Sequence, residues 1–258
     1  MSTRETQHVT KLFFDGARYA GWAKQPGKRT VQGELEHSLG VLKQESFRVR
    51  PTSRTDAGVS AVGQVVTFIG PSEESPNYVG LNRILPRDIA VTHVLKGQFT
   101  KTPKRYAYFF EKEFIRPALV RMAVHALPTS RILGYLSRRG GASPTKTCSV
   151  WLKTFEGKPI ALFSASSFGY EQVRRIVGLL QLVDRGVANP LHLGDVNLHL
   201  IRAAAPEGLV LLPAENGCNW IPVADGVQKA NDYMSSRISA SERELAKWRY
   251  CLRIASGR

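Results

Sequence analysis

The chain has 258 residues, and its 36 lysines and arginines outnumber 21 aspartates and glutamates, which gives a net charge of +15. With 43% hydrophobic and 22% charged residues it can bury a sizeable core, which excludes a disordered basic tail. No run approaches the roughly 18 apolar residues of a membrane helix, so we expect no membrane partner. The polar start predicts no signal segment. The excess of cations favours a polyanionic partner such as nucleic acid.

The first hundred residues alternate between strand and helix patterns. A strand is predicted over residues 9–14, and it ends in the turn signal Asp15-Gly16. A helix capped by Thr30 is predicted next, with an apolar face made of Val31, Leu35, Leu39 and Leu42. The remaining predicted elements are strands over 47–50, 64–69 and 89–95 and a short helix over 78–84. This order predicts an α+β fold with a mostly antiparallel sheet.

The same pattern then starts again. The predicted elements are a strand over 104–112, a hairpin of 152–155 with 160–164, a helix over 170–183, a strand over 209–212 and a terminal helix over 242–254. We therefore predict an N-terminal α+β half over residues 1–102 and a C-terminal α+β half over residues 103–215. A helical extension over residues 216–258 is predicted to follow.

Three widely spaced cysteines, Cys148, Cys218 and Cys251, form no C-x-x-C pair. This pattern predicts neither a disulfide framework nor a structural zinc site. Free thiols are typical of a reducing compartment, so we expect the protein in the cytoplasm.

The loop over residues 53–61 is the first candidate site. An aspartate beside threonine and before glycine is more often a turn residue or a helix cap. Here Arg54 and Asp56 lie two residues apart in a loop that leads into an apolar strand. A rigid strand behind the loop lets both charged side chains face a ligand, so the loop is a candidate for chemistry.

Three further segments carry candidate residues. Aromatic rings alternate with cations around Arg18, Tyr19, Lys24 and Arg29, which suits an RNA surface or, equally, a solvated basic hairpin. Tyr106 and Tyr108 fall on one face of a strand, a pattern that is more often core packing than catalysis. The third segment centres on Arg174, which apolar residues bracket at helical spacing. Such an arginine either reaches the surface or needs a carboxylate partner.

Taken together, these segments resemble the tRNA pseudouridine synthases of the TruA type. The matching motifs follow the family order over most of the chain, to about residue 213. They are Y-x-G-W and T-V-Q-G-E-L-E within 19–36, R-T-D-A-G-V at 54–59, R-Y-x-Y at 105–108, F-x-x-x-x-V-R-x-I-V-G at 168–178 and P-E-G-L at 206–209.

The resemblance implies two ferredoxin-like halves whose antiparallel sheets join across a central RNA-binding cleft. It implies that Asp56 is the essential aspartate, that Tyr106 is the active-site tyrosine and that Arg174 pairs with the aspartate. Burial alone would raise the pKa of Asp56, so such a cation is needed to keep it ionised. Arg54 corresponds to the arginine that displaces the target nucleotide. The other residues expected to contact RNA are Arg18, Tyr19, Lys24, Arg29, Lys104 and Arg105.

The implied reaction converts uridine to pseudouridine in the tRNA anticodon stem-loop, among positions 38–40, without a metal or another cofactor. A homodimer is implied by the resemblance alone. Two alternatives stay open: the same reaction at another tRNA or RNA site, and a non-catalytic RNA-binding protein on the same fold. The presence of Asp56, Tyr106 and Arg174 together disfavours the second, because a pure binder does not need the carboxylate.

The sequence also departs from the family pattern. Ala23, Ser53 and Ser60 stand where glutamine, glycine and histidine are common, and the segment over 127–147 is short. This segment carries Arg138 and Arg139, which we assign with the other cations to a surface that follows RNA phosphates. Such a surface predicts strongly salt-dependent tRNA binding.

Overall fold

The computed structural model describes residues 5–71, 77–137, 148–213, 217–238 and 242–257. Its contacts divide the chain into a first unit, Met1–Thr102 with Val210–Arg258, and a second unit, Pro103–Leu209. In this division the first break follows Thr102, and the last part of the chain, from Val210, belongs to the first unit. Arg138 and Arg139 lie outside the described residues.

The described elements are numbered here in chain order. The strands are β1 (Glu5–Phe14), β2 (Arg50–Pro51), β3 (Ser60–Pro71), β4 (Ile89–Leu95), β5 (Lys104–Phe109), β6 (Ser149–Phe155), β7 (Lys158–Ala165), β8 (Leu209–Leu211) and β9 (Trp220–Pro222). The α-helices are α1 (Val31–Lys43), α2 (Tyr78–Ile84), α3 (Pro117–Ala126), α4 (Ile132–Tyr135), α5 (Gln172–Asp184), α6 (Ala224–Arg237) and α7 (Glu242–Ala255).

The first unit has a ferredoxin-like core. Strands β4, β1, β3 and β2 lie in that order, and each neighbouring pair is antiparallel. Helix α1 connects β1 to β2, and α2 connects β3 to β4. This is the order of a βαββαβ unit. Strand β9 adds to the outer edge of β4, and β8 pairs in parallel with the start of β3. The predicted mixed α+β class with a mostly antiparallel sheet is confirmed.

Helix α1 forms at the predicted place because Thr30 caps its N-terminus and an apolar face is buried along it. The hydroxyl of Thr30 accepts a hydrogen bond from the Gly33 amide at 3.2 Å, so the predicted N-cap is confirmed. Val31, Leu35 and Leu39 are buried along the predicted apolar face. Helix α2 and strand β4 also begin and end at the predicted residues.

The second unit repeats the alternation of strands and helices. Strands β6, β7 and β5 form an antiparallel sheet, and β6 joins β7 through a tight turn at Glu156 and Gly157, both with positive φ. Helix α5 packs on α3. Its predicted apolar stripe is confirmed by the burial of Val173, Ile176, Val177, Leu180 and Val183.

The end of the chain is anchored on the first unit by polar contacts as well as by packing. Helix α6 packs on β4, α2 and α7. From α6, the Lys229 Nζ donates hydrogen bonds to the carbonyl oxygens of Asn82 at 2.6 Å and Leu85 at 2.8 Å, which lie at the end of α2. Lys229 therefore binds carbonyl oxygens at the C-terminus of α2. None of the helices in the described ranges has the length and apolar character needed to cross a bilayer.

Replacing Lys229 with Met should remove these two hydrogen bonds while keeping most of the apolar stem. We expect the free energy of unfolding to fall by about 1–3 kcal/mol at neutral pH. Burial lowers the pKa of Lys229 from 10.5 to about 8. Between these two values the unfolded chain binds more protons than the folded protein, so the stability that Lys229 contributes should rise with pH. The difference between wild type and K229M should therefore widen as the pH rises from about 8 to about 10.

Urea unfolding of both proteins across this pH range measures the effect. Lys96→Met is the matched control, because Lys96 is an exposed lysine of the same unit, and its effect should be small at every pH. A difference between wild type and K229M that narrows as the pH rises would contradict the assignment.

Candidate active site

The loop that carries Asp56 connects β2 to β3 in the first unit. Ser53 and Thr55 are buried, whereas Arg54 is exposed and Asp56 is partly exposed. The loop closes in a turn in which the Val59 amide donates to the Asp56 carbonyl at 3.2 Å. The backbone thus directs the side chains of Arg54 and Asp56 toward the surface and holds their small neighbours inside.

The segment over residues 19–22 holds this loop in place from one side. The Trp22 amide donates to the Thr55 carbonyl at 3.1 Å, and the Gly58 amide donates to the Tyr19 carbonyl at 3.3 Å. The Trp22 ring is fully buried against Phe14. The Y-x-G-W motif is therefore a backbone clamp on the Asp56 loop.

Tyr19 does not fit the predicted role in RNA binding. Its ring is only 4% exposed, and its hydroxyl donates to Asp88 at 2.6 Å. Burial and this hydrogen bond raise the pKa of Tyr19, so the hydroxyl stays a donor. A base cannot stack on a ring in this position. We therefore correct the prediction and assign Tyr19 a packing role. The sequence pattern was ambiguous because aromatic and basic residues alternate both on an RNA surface and where a cation covers a buried ring.

The predicted cations of the first unit are exposed, but two have carboxylate partners. Lys24 Nζ lies 3.2 Å from Glu36, and Arg29 Nε lies 2.6 Å from Glu34, both on α1. The Arg29 guanidinium also covers the Tyr19 ring at 4.7 Å. Exposed pairs of this kind contribute little to stability, so both cations can exchange their partner for a phosphate. Arg18 is also exposed.

The buried carboxylate of Asp15 binds the base of the Asp56 loop, and the sequence did not reveal this role. Asp15 Oδ1 accepts hydrogen bonds from the Ser60 hydroxyl at 3.2 Å and from the Ala17 amide at 3.1 Å. The Ser60 oxygen in turn accepts from the Gly16 amide at 3.0 Å. Asp15 was interpreted as a turn signal only. No local pattern separates a turn aspartate from one that is buried and bonded to residues distant in sequence.

In the second unit, Tyr106 lies on β5, directly opposite Phe163 of β7. It is 7% exposed, and the Phe168 ring meets it edge-on, with the ring centres 5.4 Å apart. Lys104 and Arg105 are partly exposed at the start of the same strand. The predicted tyrosine and the first residue of the F-x-x-x-x-V-R motif are therefore in direct contact.

Arg174 lies in the first turns of α5 and is held by its own unit. Its Nε donates to the Ala204 carbonyl at 2.7 Å, and the Ala204 amide donates back to the Arg174 carbonyl at 2.9 Å. Its Nη1 lies 3.7 Å from Glu171. With only 13% of the side chain exposed, Arg174 is the partly buried arginine that the sequence analysis allowed. Its position depends on the 202–204 segment lying close to α5.

Gly178 makes this close approach possible. A Cβ at this position would lie 1.9 Å from the Arg202 carbonyl oxygen, so Gly178→Ala must push the 202–204 segment away from α5. We expect a net loss of about 1–3 kcal/mol in the free energy of unfolding, because the clash outweighs the roughly 1 kcal/mol that alanine adds to helix propensity. Urea unfolding measures the loss. Gly194→Ala is the control, because nothing lies within 4 Å of that added methyl group. Unchanged stability in G178A would mean that the close contact does not hold the segment.

Comparisons with known proteins agree with these motifs. The family model of tRNA pseudouridine synthase matches residues 13–105. The tRNA pseudouridine synthase A of Aeromonas hydrophila subsp. hydrophila is 31% identical over 251 residues, which cover 81% of this chain and 91% of that protein. That of Frankia casuarinae is 30% identical over 236 residues, which cover 78% of this chain and 86% of that protein.

A third relative aligns over a shorter region. The tRNA pseudouridine synthase A of Shewanella loihica is 37% identical over 123 residues, which cover 45% of this chain and 47% of that protein. In this alignment the chain spans about half the length of the relative. The resemblance drawn from the motifs is confirmed, and the chain belongs to the tRNA pseudouridine synthase family.

Proposed function

We propose that this protein is a tRNA pseudouridine synthase, an isomerase that converts uridine in tRNA to pseudouridine. The observation that carries the proposal is the loop with Asp56, which has the family's R-T-D-A-G-V sequence. Two backbone hydrogen bonds clamp this loop, and the Asp56 side chain is partly exposed. A carboxylate on a rigid loop at the surface is what this reaction requires.

The chemistry needs no co-reactant. The N1–C1′ bond of uridine breaks, the uracil ring turns, and a new bond forms between C5 and C1′. The proton lost from C5 is balanced by a proton gained at N1, and no electron is transferred. A carboxylate can add to the sugar or the base, or can promote elimination to a glycal. In each route Asp56 must be ionised at the start.

We propose Asp56, Tyr106 and Arg174 as the catalytic residues. Arg174 is the cation that favours the ionised form of Asp56 in the reacting enzyme. The hydrogen bonds of its guanidinium group and backbone to Ala204 fix its orientation. Tyr106 either stacks on the displaced base or takes part in removing the C5 proton. Its ring is already held edge-on by Phe168.

For RNA contacts we propose Arg54, Arg18, Lys24, Arg29, Lys104 and Arg105. Arg54 is exposed two residues before Asp56, and in that position it can fill the space left by the displaced nucleotide. Removing a base from a stem costs a few kcal/mol, which contacts with phosphates offset. Tyr19 is left out of this set because its ring is buried.

We propose the anticodon stem-loop, among tRNA positions 38–40, as the target, and a homodimer in the cytoplasm as the working form. The target and the dimer follow from the family resemblance, and the free thiols Cys148, Cys218 and Cys251 are consistent with a reducing compartment. The departure from the family pattern over 127–147 bears on how the tRNA is held. The same reaction at another RNA position is therefore the alternative that mapping must test.

Asp56→Asn should lose catalysis and keep tRNA binding. Incubation with tRNA that carries tritium at uridine C5 follows the reaction through tritium released to water. We expect the rate to fall by about four orders of magnitude, because each route of the reaction requires this carboxylate. Asp195→Asn is the matched control, since the Asp195 side chain is 85% exposed in the second unit, and it should keep full activity.

Full tritium release by D56N would overturn the role of Asp56. Strong tRNA binding with no release by the wild type would point instead to the non-catalytic RNA-binding protein.

Arg174→Gln should change the pH dependence of the reaction. Loss of the cation raises the pKa of the essential carboxylate, so the acid limb of the profile of kcat/KM against pH should move upward by about 1–3 pH units. Tritium release measured between about pH 4 and pH 9 gives the profile. Arg174→Lys keeps the charge and should shift the limb less, while Arg185→Gln, at an exposed arginine, should not shift it. An acid limb that stays in place in R174Q would contradict the role of Arg174.

A further inference from the structure

We propose that Tyr233 and Arg237 of α6 are positioning residues for the Asp56 loop, acting through the buried carboxylate of Asp15. The inference rests on the proposed function, since that function makes Asp56 the catalytic carboxylate. It gives the end of the chain a role in the reaction even though α6 follows Asp56 by more than 160 residues.

One oxygen of Asp15 faces the loop. Asp15 is 3% exposed, and its Oδ1 accepts from the Ser60 hydroxyl at 3.2 Å, at the residue where β3 begins. The neighbouring Gly16 lies so close to the loop that a Cβ there would be 2.1 Å from the Val59 carbonyl oxygen. Val59 closes the turn that begins at Asp56. A movement of Asp15 must therefore move the base of the loop.

The other oxygen of Asp15 faces α6. Its Oδ2 accepts from the Tyr233 hydroxyl at 2.7 Å and lies 3.5 Å from the Arg237 Nε. The Tyr233 ring packs on Phe13, with the ring centres 5.8 Å apart. Burial and the bond to Asp15 raise the pKa of Tyr233, so its hydroxyl remains a donor to the carboxylate. The two oxygens thus connect the loop to α6 by direct hydrogen bonds.

Helix α7 adds a second carboxylate, Glu244, and a second cation, Lys247, to this cluster of charges. Glu244 lies 3.5 Å from the Arg237 Nη2 and accepts a hydrogen bond from the Trp248 Nε1 at 2.6 Å. Lys247, which is 2% exposed, lies 3.6 Å from the same carboxylate. Arg237 therefore lies beside both carboxylates, Asp15 and Glu244, and Lys247 lies beside Glu244. Leaving a buried anion without its partner is strongly unfavourable, so α6 and α7 are needed to keep Asp15 in place.

Tyr233→Phe removes only the hydroxyl that binds Asp15 and keeps the packed ring. Without this bond the Asp15 carboxylate can turn away from Ser60, and the loop loses its support. We expect kcat for tritium release to fall by about tenfold to a hundredfold, the effect of a displacement of about 1 Å in a catalytic group. The affinity for tRNA should not change, because Asp15 and Ser60 are buried and cannot touch RNA. Backbone amides over residues 56–60 should exchange hydrogen faster.

Tyr135→Phe is the matched control. Tyr135 is 51% exposed in the second unit, so loss of its hydroxyl should leave kcat and loop exchange unchanged. A second variant, Ser60→Ala, breaks the connection at its other end. Because both hydroxyls bind one carboxylate, the double variant should lose less than the product of the two single losses. All rates are measured at a temperature at which circular dichroism shows each variant to be folded.

The outcomes separate the inference from the proposed function. Wild-type kcat and unchanged loop exchange in Y233F would overturn the inference, as would a uniform increase in exchange across the first unit. If the wild-type enzyme releases no tritium from tRNA, the proposed function fails. Exchange at residues 56–60 then decides alone whether α6 positions the loop.

Discussion

The first unit depends on the hydrogen bonds that the buried carboxylate of Asp15 accepts. It lies at the end of β1, and its two oxygens accept hydrogen bonds from Ser60, at the foot of the Asp56 loop, and from Tyr233 of α6. A buried anion needs both hydrogen bonds and a cation, and the cation here is Arg237. The end of β1, the Asp56 loop and helix α6 are thus connected through one side chain.

This coupling explains how the Asp56 loop can be both exposed and held in place. In the proposed reaction the Asp56 side chain must be open to a nucleotide, so little packing can hold the loop from the outside. Order instead comes from the backbone clamp of residues 19–22 on one side and from Asp15 below. A preorganised carboxylate of this kind does not have to be ordered again at the moment of reaction, which is where electrostatic catalysis gains its advantage.

The sequence predicted those elements whose structure depends on residues close together in the chain. The face of α1, the stripe of α5 and the bounds of α2 follow from apolar periodicity and capping, and the structure agrees. The bounds of α6 inside the predicted helical extension were not predicted, because two of its three buried residues, Gly226, Ala230 and Met234, are too small to mark an apolar face. The contact between Asp15 and Tyr233 spans 218 residues, so no window of sequence contains it. Tyr19 was misassigned because a ring beside cations has the same pattern whether it is buried or exposed.

The most direct test of the whole account is the chemical identity of the product. Unmodified tRNA is incubated with the protein, and pseudouridine is located nucleotide by nucleotide through its reaction with a carbodiimide; intact mass does not change in an isomerisation. We predict pseudouridine in the anticodon stem-loop, among positions 38–40, with the wild-type protein. Absence of pseudouridine from every position of tRNA that the protein binds tightly would contradict this prediction.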